Sequence, residues 1–299
     1  MTLIAVEPDD ARSEDWAAGV SRALENLGAR LGGAVWLAPG QACDIPFDEL
    51  DPDQAEAAAR GALGLGLNGP PVDLLAQDAE GRKKAILLSD MESTVITNEM
   101  IDEIADLMGI KAQVADITRR TMNDELDFAT AVKQRVALFK GQKASLLDQA
   151  ARRIRIMPGA KAMVATMHAY GAYTALASGG FNVFTSRVRQ TLGFDVDYAN
   201  ELLIADGKLT GTVKEPIQTR DTKLAILTKL AAERNLPLSA TLAIGDGAND
   251  LPMIGAAGLG IAFHSHPNVA PRARHRIDHC DLRAALYAQG YRQDEIVES

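Results

Sequence analysis

Three short apolar runs in this chain end abruptly in acids, serine or glycine, and that pattern restricts the fold more than any other feature. Ala85 to Ser89 runs into Asp90, Ala172 to Ala177 into Ser178-Gly179-Gly180, and Leu242 to Ile244 into Gly245-Asp246-Gly247. Gly260 to Phe263 is a fourth apolar run. Helical stretches separate these runs, and strands alternating with helices predict an α/β fold with a parallel sheet wrapped by helices. Ligands of open α/β sheets bind outside the carboxyl ends of the strands, so the three polar ends are expected to meet in space.

Composition narrows the class. The chain has 299 residues, enough for two or three domains at roughly 100–200 residues each. Hydrophobic residues at 47% with charged residues at 24% exclude a disordered polyelectrolyte. Thirty-one Lys and Arg against 40 Asp and Glu leave a net charge of −9, which argues against nucleic acid or an anionic membrane surface as partner. No apolar run approaches the roughly 18 residues of a membrane span. Glu7, Asp9 and Asp10 follow the first apolar stretch directly, unlike a signal peptide. Cys43 and Cys280, too few for a disulfide framework, point to a reducing cytoplasm.

The first part of the chain reads differently from the rest. Leu3 to Val6, Ala34 to Leu37 and Val72 to Leu75 read as strands, Glu14 to Leu31 and Gln54 to Leu63 as helices. This order predicts a small α+β module of the ferredoxin-like or ACT-like kind over residues 1–83. Gln77 to Lys84, polar and containing Gly81, reads as a linker. Between the first two core strands lie four helical stretches: Met100 to Met108, Gln113 to Thr121, Asp127 to Phe139 and Lys143 to Ile154. That is too much for one crossover helix, so residues 98–156 are expected to form a cap above the strand ends, inserted into a core of 84–97 and 157–299.

The chemistry follows from the residues at those ends. An acid after a buried strand is costly unless it is paired or holds a metal. Asp90 and Asp246 together suit a hard dication such as Mg2+, which takes few carboxylates and keeps waters. Such an ion would offset charge on a phosphoryl group and leave Asp90 as a carboxylate nucleophile. Ser178 and the glycine amides after it suit phosphoryl oxygens, and Lys223 adds a positive charge. Each residue alone has a plainer reading: a helix cap for Asp90, a turn for Ser178-Gly179-Gly180, a solvated lysine for Lys223. Their combination and order favour an enzyme.

The order and spacing of Asp90-Met91-Glu92-Ser93-Thr94, Ser178, Lys223 and Gly245 to Asp250 resemble the haloacid-dehalogenase superfamily of aspartate-nucleophile phosphotransferases and, within it, the phosphoserine phosphatases. Thr97-Asn98-Glu99, Asp127-Phe128, Arg135-Val136-Ala137-Leu138 and Asp206 to Gly211 extend the match, which covers Ala85 to about Leu286. The resemblance implies a Rossmannoid parallel sheet with an inserted helical cap of the C1 type. It implies Mg2+-dependent hydrolysis of O-phospho-L-serine through an aspartyl-phosphate, the last step of serine biosynthesis. Carried over by position, Asp90 is the nucleophile and a metal ligand, Asp246 a second ligand, and Asp250 the orienter of the metal shell. Ser178, Gly179, Lys223 and Asn249 hold the phosphoryl group. Glu99 and Arg135 clamp the amino and carboxylate groups of the substrate, a zwitterion that needs one anion and one cation. Met122 and Phe128 are apolar lid residues.

One position departs from the family: the second acid of the first motif is usually Asp and here is Glu92. In the family that acid protonates the leaving seryl oxygen and then deprotonates the attacking water, while its backbone carbonyl joins the metal shell. One extra methylene shifts the carboxylate by about an ångström, enough to cost on the order of 10²-fold if uncompensated. Two other readings therefore stand beside the first. One is a phosphatase or phosphotransferase for another small phosphomonoester. The other is an amino-acid-sensing regulator with a weakened catalytic half. A homodimer is a further option. His264, His266, His275, His279 and Cys280 fit no closed zinc pattern and read as a surface cluster.

Overall fold

A computed structural model of the chain describes residues 1–65, 69–122 and 125–298. Its N-terminal part runs β1 (Thr2–Ala5), α1 (Asp10–Asn26), β2 (Arg30–Leu31), β3 (Val35–Ala38), β4 (Ala42–Asp44), β5 (Phe47–Asp48), α2 (Pro52–Ala62) and β6 (Val72–Leu75). The antiparallel sheet has the order β3-β4-β1-β6, with α1 packed beside α2. Without the short β2–β5 ribbon this is the β-α-β-β-α-β plan of ferredoxin-like folds. Helix α1 begins and ends earlier than its apolar spacing suggests. Asp9 caps its start by accepting from the Arg12 amide at 3.1 Å, and Gly28 at φ +88° lies just past its end. Strand β4 escapes sequence reading because three residues carry no periodicity.

The core follows with β7 (Ile86–Ser89), then four helices, α3 (Met100–Met108), α4 (Lys111–Met122), α5 (Phe128–Ala137) and α6 (Ser145–Ala151). It continues with α7 (Ala160–Ala169), β8 (Tyr173–Phe181), α8 (Asn182–Leu192), β9 (Val196–Asn200), β10 (Leu202–Ala205), β11 (Lys208–Val213) and α9 (Arg220–Glu233). It ends with β12 (Thr241–Gly245), α10 (Leu251–Ala256), β13 (Leu259–Phe263), β14 (His275–Ile277) and α11 (Ala284–Ala288). Six strands in the order β14-β13-β12-β7-β8-β9 make one sheet, and every pairing in it is parallel.

Alternation along β7 explains why both faces are covered. Ile86 and Leu88 pack with Ile226, Leu227 and Leu230 of α9, while Leu87 faces the cluster of Met163, Val164 and Met167 from α7. Each such side chain, fully buried, contributes about 1.5–3 kcal/mol of hydrophobic stabilisation. The register levels the strand ends: Ser89 pairs with Ile244 on one side and with Leu176 on the other. Because the chain leaves β7 between neighbours β8 and β12, its end is a topological switch point, where α/β sheets open a crevice.

The helices α3 to α6 rise from the sheet through two crossing segments. The Thr97 amide donates to the Arg155 carbonyl at 2.9 Å and the Met157 amide to the Val95 carbonyl at 3.0 Å. The β10–β11 hairpin braces the same helical unit, with the Gly141 amide on the Leu209 carbonyl and the Leu209 amide on the Gln142 carbonyl, both at 2.8 Å.

Residues 77–84, read from sequence as a linker, are fastened on both sides. The Arg82 guanidinium donates to Asp44 at 2.7 and 3.0 Å and to the carbonyls of Tyr287 and Ala288. The Gln77 amide group donates to the Ala288 carbonyl at 2.6 Å. A guanidinium with five fixed donors orders whatever chain supplies its acceptors, which polar composition alone does not reveal. Buried Asp73 of β6 completes the junction, accepting from the amides of Asp278 at 2.7 Å, His279 at 3.2 Å and Cys280 at 2.8 Å. Among the described residues no helix is long and apolar enough to cross a membrane.

Candidate active site

The level strand ends bring three acids together. Asp90 directly follows β7 and is tied to the next strand by its amide on the Ile244 carbonyl at 2.9 Å. Asp246 follows β12, and Asp250 opens α10. One carboxylate oxygen from each lies within 4.8 Å of the others, and all three residues are buried. Lys223 of α9 reaches in from below, its ammonium 2.8 Å from Asp90 Oδ1 and 2.5 Å from Asp250 Oδ1. The Gly247 amide donates to Asp250 Oδ2 at 3.0 Å, and the Thr94 hydroxyl to Asp246 Oδ1 at 3.1 Å.

Three carboxylates cluster around one ammonium that pairs with two of them, and the electrostatics follow. Burial first, and then the Asp250 charge, push the Asp90 carboxyl well above the ordinary aspartate range. The same two causes lift Asp246 to about 6. Burial opposes the charge on Lys223, yet the Asp250 and Asp90 carboxylates outweigh it and hold the ammonium above its ordinary range. A compact set of hard oxygen donors with excess negative charge fits a small dication of the Mg2+ class.

A second group of polar residues faces this cluster. Glu92 is held at both oxygens: Oε1 accepts from the Met100 amide at 2.8 Å and Oε2 from the Ser178 hydroxyl at 3.3 Å. Burial raises its carboxyl, against the opposing pull of those two donors. The Gly180 amide in turn donates to Ser178 Oγ at 2.8 Å. A Cβ on residue 180 would stand 2.7 Å from Glu92 Oε2, so any side chain there must displace that carboxylate. A Cβ on Gly179 would likewise meet the Phe128 ring of α5 at 2.8 Å, so Phe128 lies directly over the irregular end of β8 that carries Ser178.

Glu99 and Arg135 stand at the cap side. The Ser93 hydroxyl donates to Glu99 Oε1 at 2.8 Å. Glu99 opens to solvent at the mouth of the cleft but is ringed by protein atoms, and that desolvation, with the nearby Glu92 charge, raises it to about 8. Arg135 is held to its own helix, Nε donating to the Ala131 carbonyl at 3.3 Å. Burial lowers its pKa against the upward pull of Glu92, Glu99 and Asp102. Asn249 is half-buried, between Gly247 and Asp250 in the loop that opens α10. The Met122 side chain falls outside the described residues.

Some neighbours of the site carry no sequence signal of their own. Asn200, at the end of β9, donates to the Gly179 carbonyl at 2.7 Å and steadies that strand end. His266 comes within 3.9 Å of Asp246 Oδ2, and its amide donates to the Asp246 carbonyl at 3.3 Å. The other histidines are scattered: His264 Nε2 lies 2.9 Å from the Cys280 carbonyl, and His275 is buried 3.8 Å from Glu56.

A parallel sheet at whose switch point an acid trio, a lysine and the serine–glycine end of β8 converge beneath a helical cap defines a class of phosphoryl-handling hydrolases. Residues 87–255 match the haloacid dehalogenase-like hydrolase family, and the chain belongs to it. Within that family the chain is similar to proteins named phosphoserine phosphatase. It is 44% identical to that of Streptococcus thermophilus over 199 residues, 67% of this chain and 93% of the relative. It is 41% identical to that of Vibrio cholerae serotype O1 over 214 residues, 69% of this chain but only 65% of the relative's length. The crystal structure of a haloacid dehalogenase family hydrolase from Salmonella enterica serovar Typhi superposes with a TM-score of 0.82 at 28% identity. It covers 96% of this chain and 97% of that one, so the N-terminal module is part of the likeness.

Proposed function

We propose that the chain hydrolyses O-phospho-L-serine to L-serine and phosphate through an aspartyl-phosphate on Asp90, as the last step of L-serine biosynthesis. The observation that carries this reading is the buried Asp90–Lys223 pair at the sheet's switch point together with a half-buried carboxyl, Glu92, that accepts from the Ser178 hydroxyl. Ser178 Oγ, the Gly179 amide, Lys223 and Asn249 hold the phosphoryl oxygens. A carboxylate oxygen of Asp90 attacks phosphorus while the bond to the seryl oxygen breaks. Glu92, whose burial favours the protonated form, passes its proton to that oxygen and serine departs. Glu92 then takes a proton from water as the water attacks phosphorus, the bond to Asp90 breaks, and phosphate is released.

Asp90, Asp246 and Asp250, with the Glu92 carbonyl, would hold Mg2+, which when bound neutralises charge on the phosphoryl oxygens. Arg135 grips the substrate carboxylate and Glu99 its ammonium. Phe128 covers the end of β8 that carries Ser178 and keeps stray water from the acyl phosphate. The same reading divides the chain into an N-terminal module over 1–83, a core of 84–97 and 157–299 and a cap over 98–156. It assigns the protein to the cytoplasm, where free, buried Cys43 and Cys280 stay reduced.

Turnover of phosphoserine against phosphothreonine, phosphoethanolamine and sugar phosphates tests the assignment. Phosphoserine is expected to be preferred, the preference to vanish in Arg135→Ala, and a phosphoryl group to be trapped on Asp90. Unchanged phosphoserine turnover in Arg135→Ala would sink the substrate assignment.

A further inference from the structure

Glu92 belongs to the sheet side of the crossing segments and Met100 opens the first cap helix, yet the two are joined by the 2.8 Å bond from the Met100 amide to Glu92 Oε1. The first amides of a helix have no intrahelical acceptors, and the N-cap side chain ordinarily supplies one. In α3 it does not: the N-cap is Glu99, which makes no capping bond, and its carboxylate is engaged by Ser93 instead. The orphan amide is satisfied from across the crossing by Glu92. A carboxylate is favoured at that position by the helix dipole. An aspartate is one carbon–carbon bond shorter, about 1.5 Å, so from the same backbone its carboxylate reaches less far toward α3. The unusual residue of the first motif is thus the one that reaches the cap.

We propose that the Met100 backbone amide is a positioning group for the acid–base carboxyl of Glu92, which takes its working orientation only when α3 is docked. This rests on the acid–base role given to Glu92 above. With α3 in place, Met100 fixes Oε1 and leaves Oε2 beside Ser178, where the leaving oxygen of a bound phosphomonoester would lie. With α3 withdrawn, Oε1 has lost its donor and the carboxyl is no longer aimed. Enclosure of the substrate and readiness for proton transfer are coupled through one hydrogen bond.

The bond can be removed without breaking the helix. Met100 is the first helical residue, where proline is tolerated, and Glu99 at φ −98°, ψ 109° already has the extended backbone that a following proline demands. Met100→Ala controls for the buried side chain. The two variants are compared on phosphoserine, whose alkoxide needs a proton, and on 4-nitrophenyl phosphate, whose phenolate leaves without one. Met100→Pro is expected to lower kcat/KM on phosphoserine roughly 10-fold below Met100→Ala, and by less than about twofold on 4-nitrophenyl phosphate. In a Glu92→Asp background the extra loss on phosphoserine should disappear. Equal losses on both substrates, or an undiminished loss beside Glu92→Asp, would overturn the proposal. If Met100→Pro does not fold, an amide-to-ester replacement at residue 100 keeps the side chain and gives the same readout. If 4-nitrophenyl phosphate is turned over but phosphoserine is not, the substrate reading fails. The same comparison on whichever alkyl phosphomonoester is accepted then decides the role of the amide.

Discussion

The Lys223 ammonium lies 2.8 Å from the Asp90 carboxylate and is shared with Asp250 at 2.5 Å, all three groups being buried. Removing one member of a buried pair leaves the other uncompensated, at a cost of about 3–5 kcal/mol. Lys223→Met is therefore expected to lower stability in chemical denaturation by that order and to cut turnover at least about 100-fold. Mg2+ should recover part of the stability, because it supplies the missing positive charge, but not the turnover. A fully stable Lys223→Met protein would show that the pair carries little of the site's electrostatic balance.

Glu92→Gln keeps the length of the side chain and one of its two acceptor oxygens but cannot exchange a proton. Turnover should fall roughly 10²–10⁴-fold with KM little changed, as measured by steady-state kinetics. A comparable rise in KM with kcat preserved would assign Glu92 to binding instead.

Gly180→Ala probes the same acid through space. The new methyl would stand 2.7 Å from Glu92 Oε2 and 3.0 Å from Ser178 Oγ, so the carboxyl must shift. Misplacement of about an ångström costs on the order of 10²-fold in rate. The thermal midpoint should move little, since the displaced group borders the cleft; a normal rate would mean that the strand end yields rather than the acid.

Asp246 supplies a pH test. Its carboxyl is raised from the ordinary aspartate value to about 6, so the folded state without metal binds the proton more tightly than the unfolded chain does. The associated stability is complete below about 4 and is lost as pH rises through about 6. Asp246→Asn, which cannot ionise, should therefore gain in thermal midpoint relative to the unaltered chain as pH goes from 5 to 7 in chelator. Mg2+ should bind more tightly over the same rise, because it competes with that proton. A midpoint difference that stays flat from pH 5 to 7 would contradict the raised carboxyl.

Asp73 joins the N-terminal module to the core by accepting three backbone amides, those of Asp278, His279 and Cys280. Asp73→Ala leaves those donors without their acceptor, at about 1–3 kcal/mol each where water does not replace it. Urea denaturation should show a loss of several kcal/mol, while turnover at low temperature is nearly retained. An unaffected midpoint would mean that Arg82 and its neighbours carry the junction.

Much of the core was legible because burial on both faces of a parallel sheet demands continuous apolar runs, and the β7 and β12 runs stop at Asp90 and Gly245-Asp246. Val72–Leu75, in the antiparallel sheet, and helix Met100–Met108 were read to the residue for a different reason, a strong local pattern with clear ends. Strands β4, β9 and β14 were missed, being short or at an edge, where pairing partners far along the chain rather than local pattern create the strand. Residues 77–84 join β6 to β7 without helix or strand, as their composition predicts. The fastening of that segment by Arg82 was not legible, because its acceptors, Asp44 and Ala288, lie far apart in the chain.

Sequence by itself determined the kind of chemistry, because an acid at a buried strand end must be paired or ligated and few combinations of Asp, Ser, Lys and Gly can do so in that order. It also exposed Glu92 as the unusual residue. Where that carboxylate points was decided only by the fold. Its donors, Met100 and Ser178, lie 8 and 86 positions further along the chain, and the crossing segments and the β7–β8 register bring them to one point. A hydrogen bond is a matter of tenths of an ångström, and that precision exists only after packing has fixed both partners.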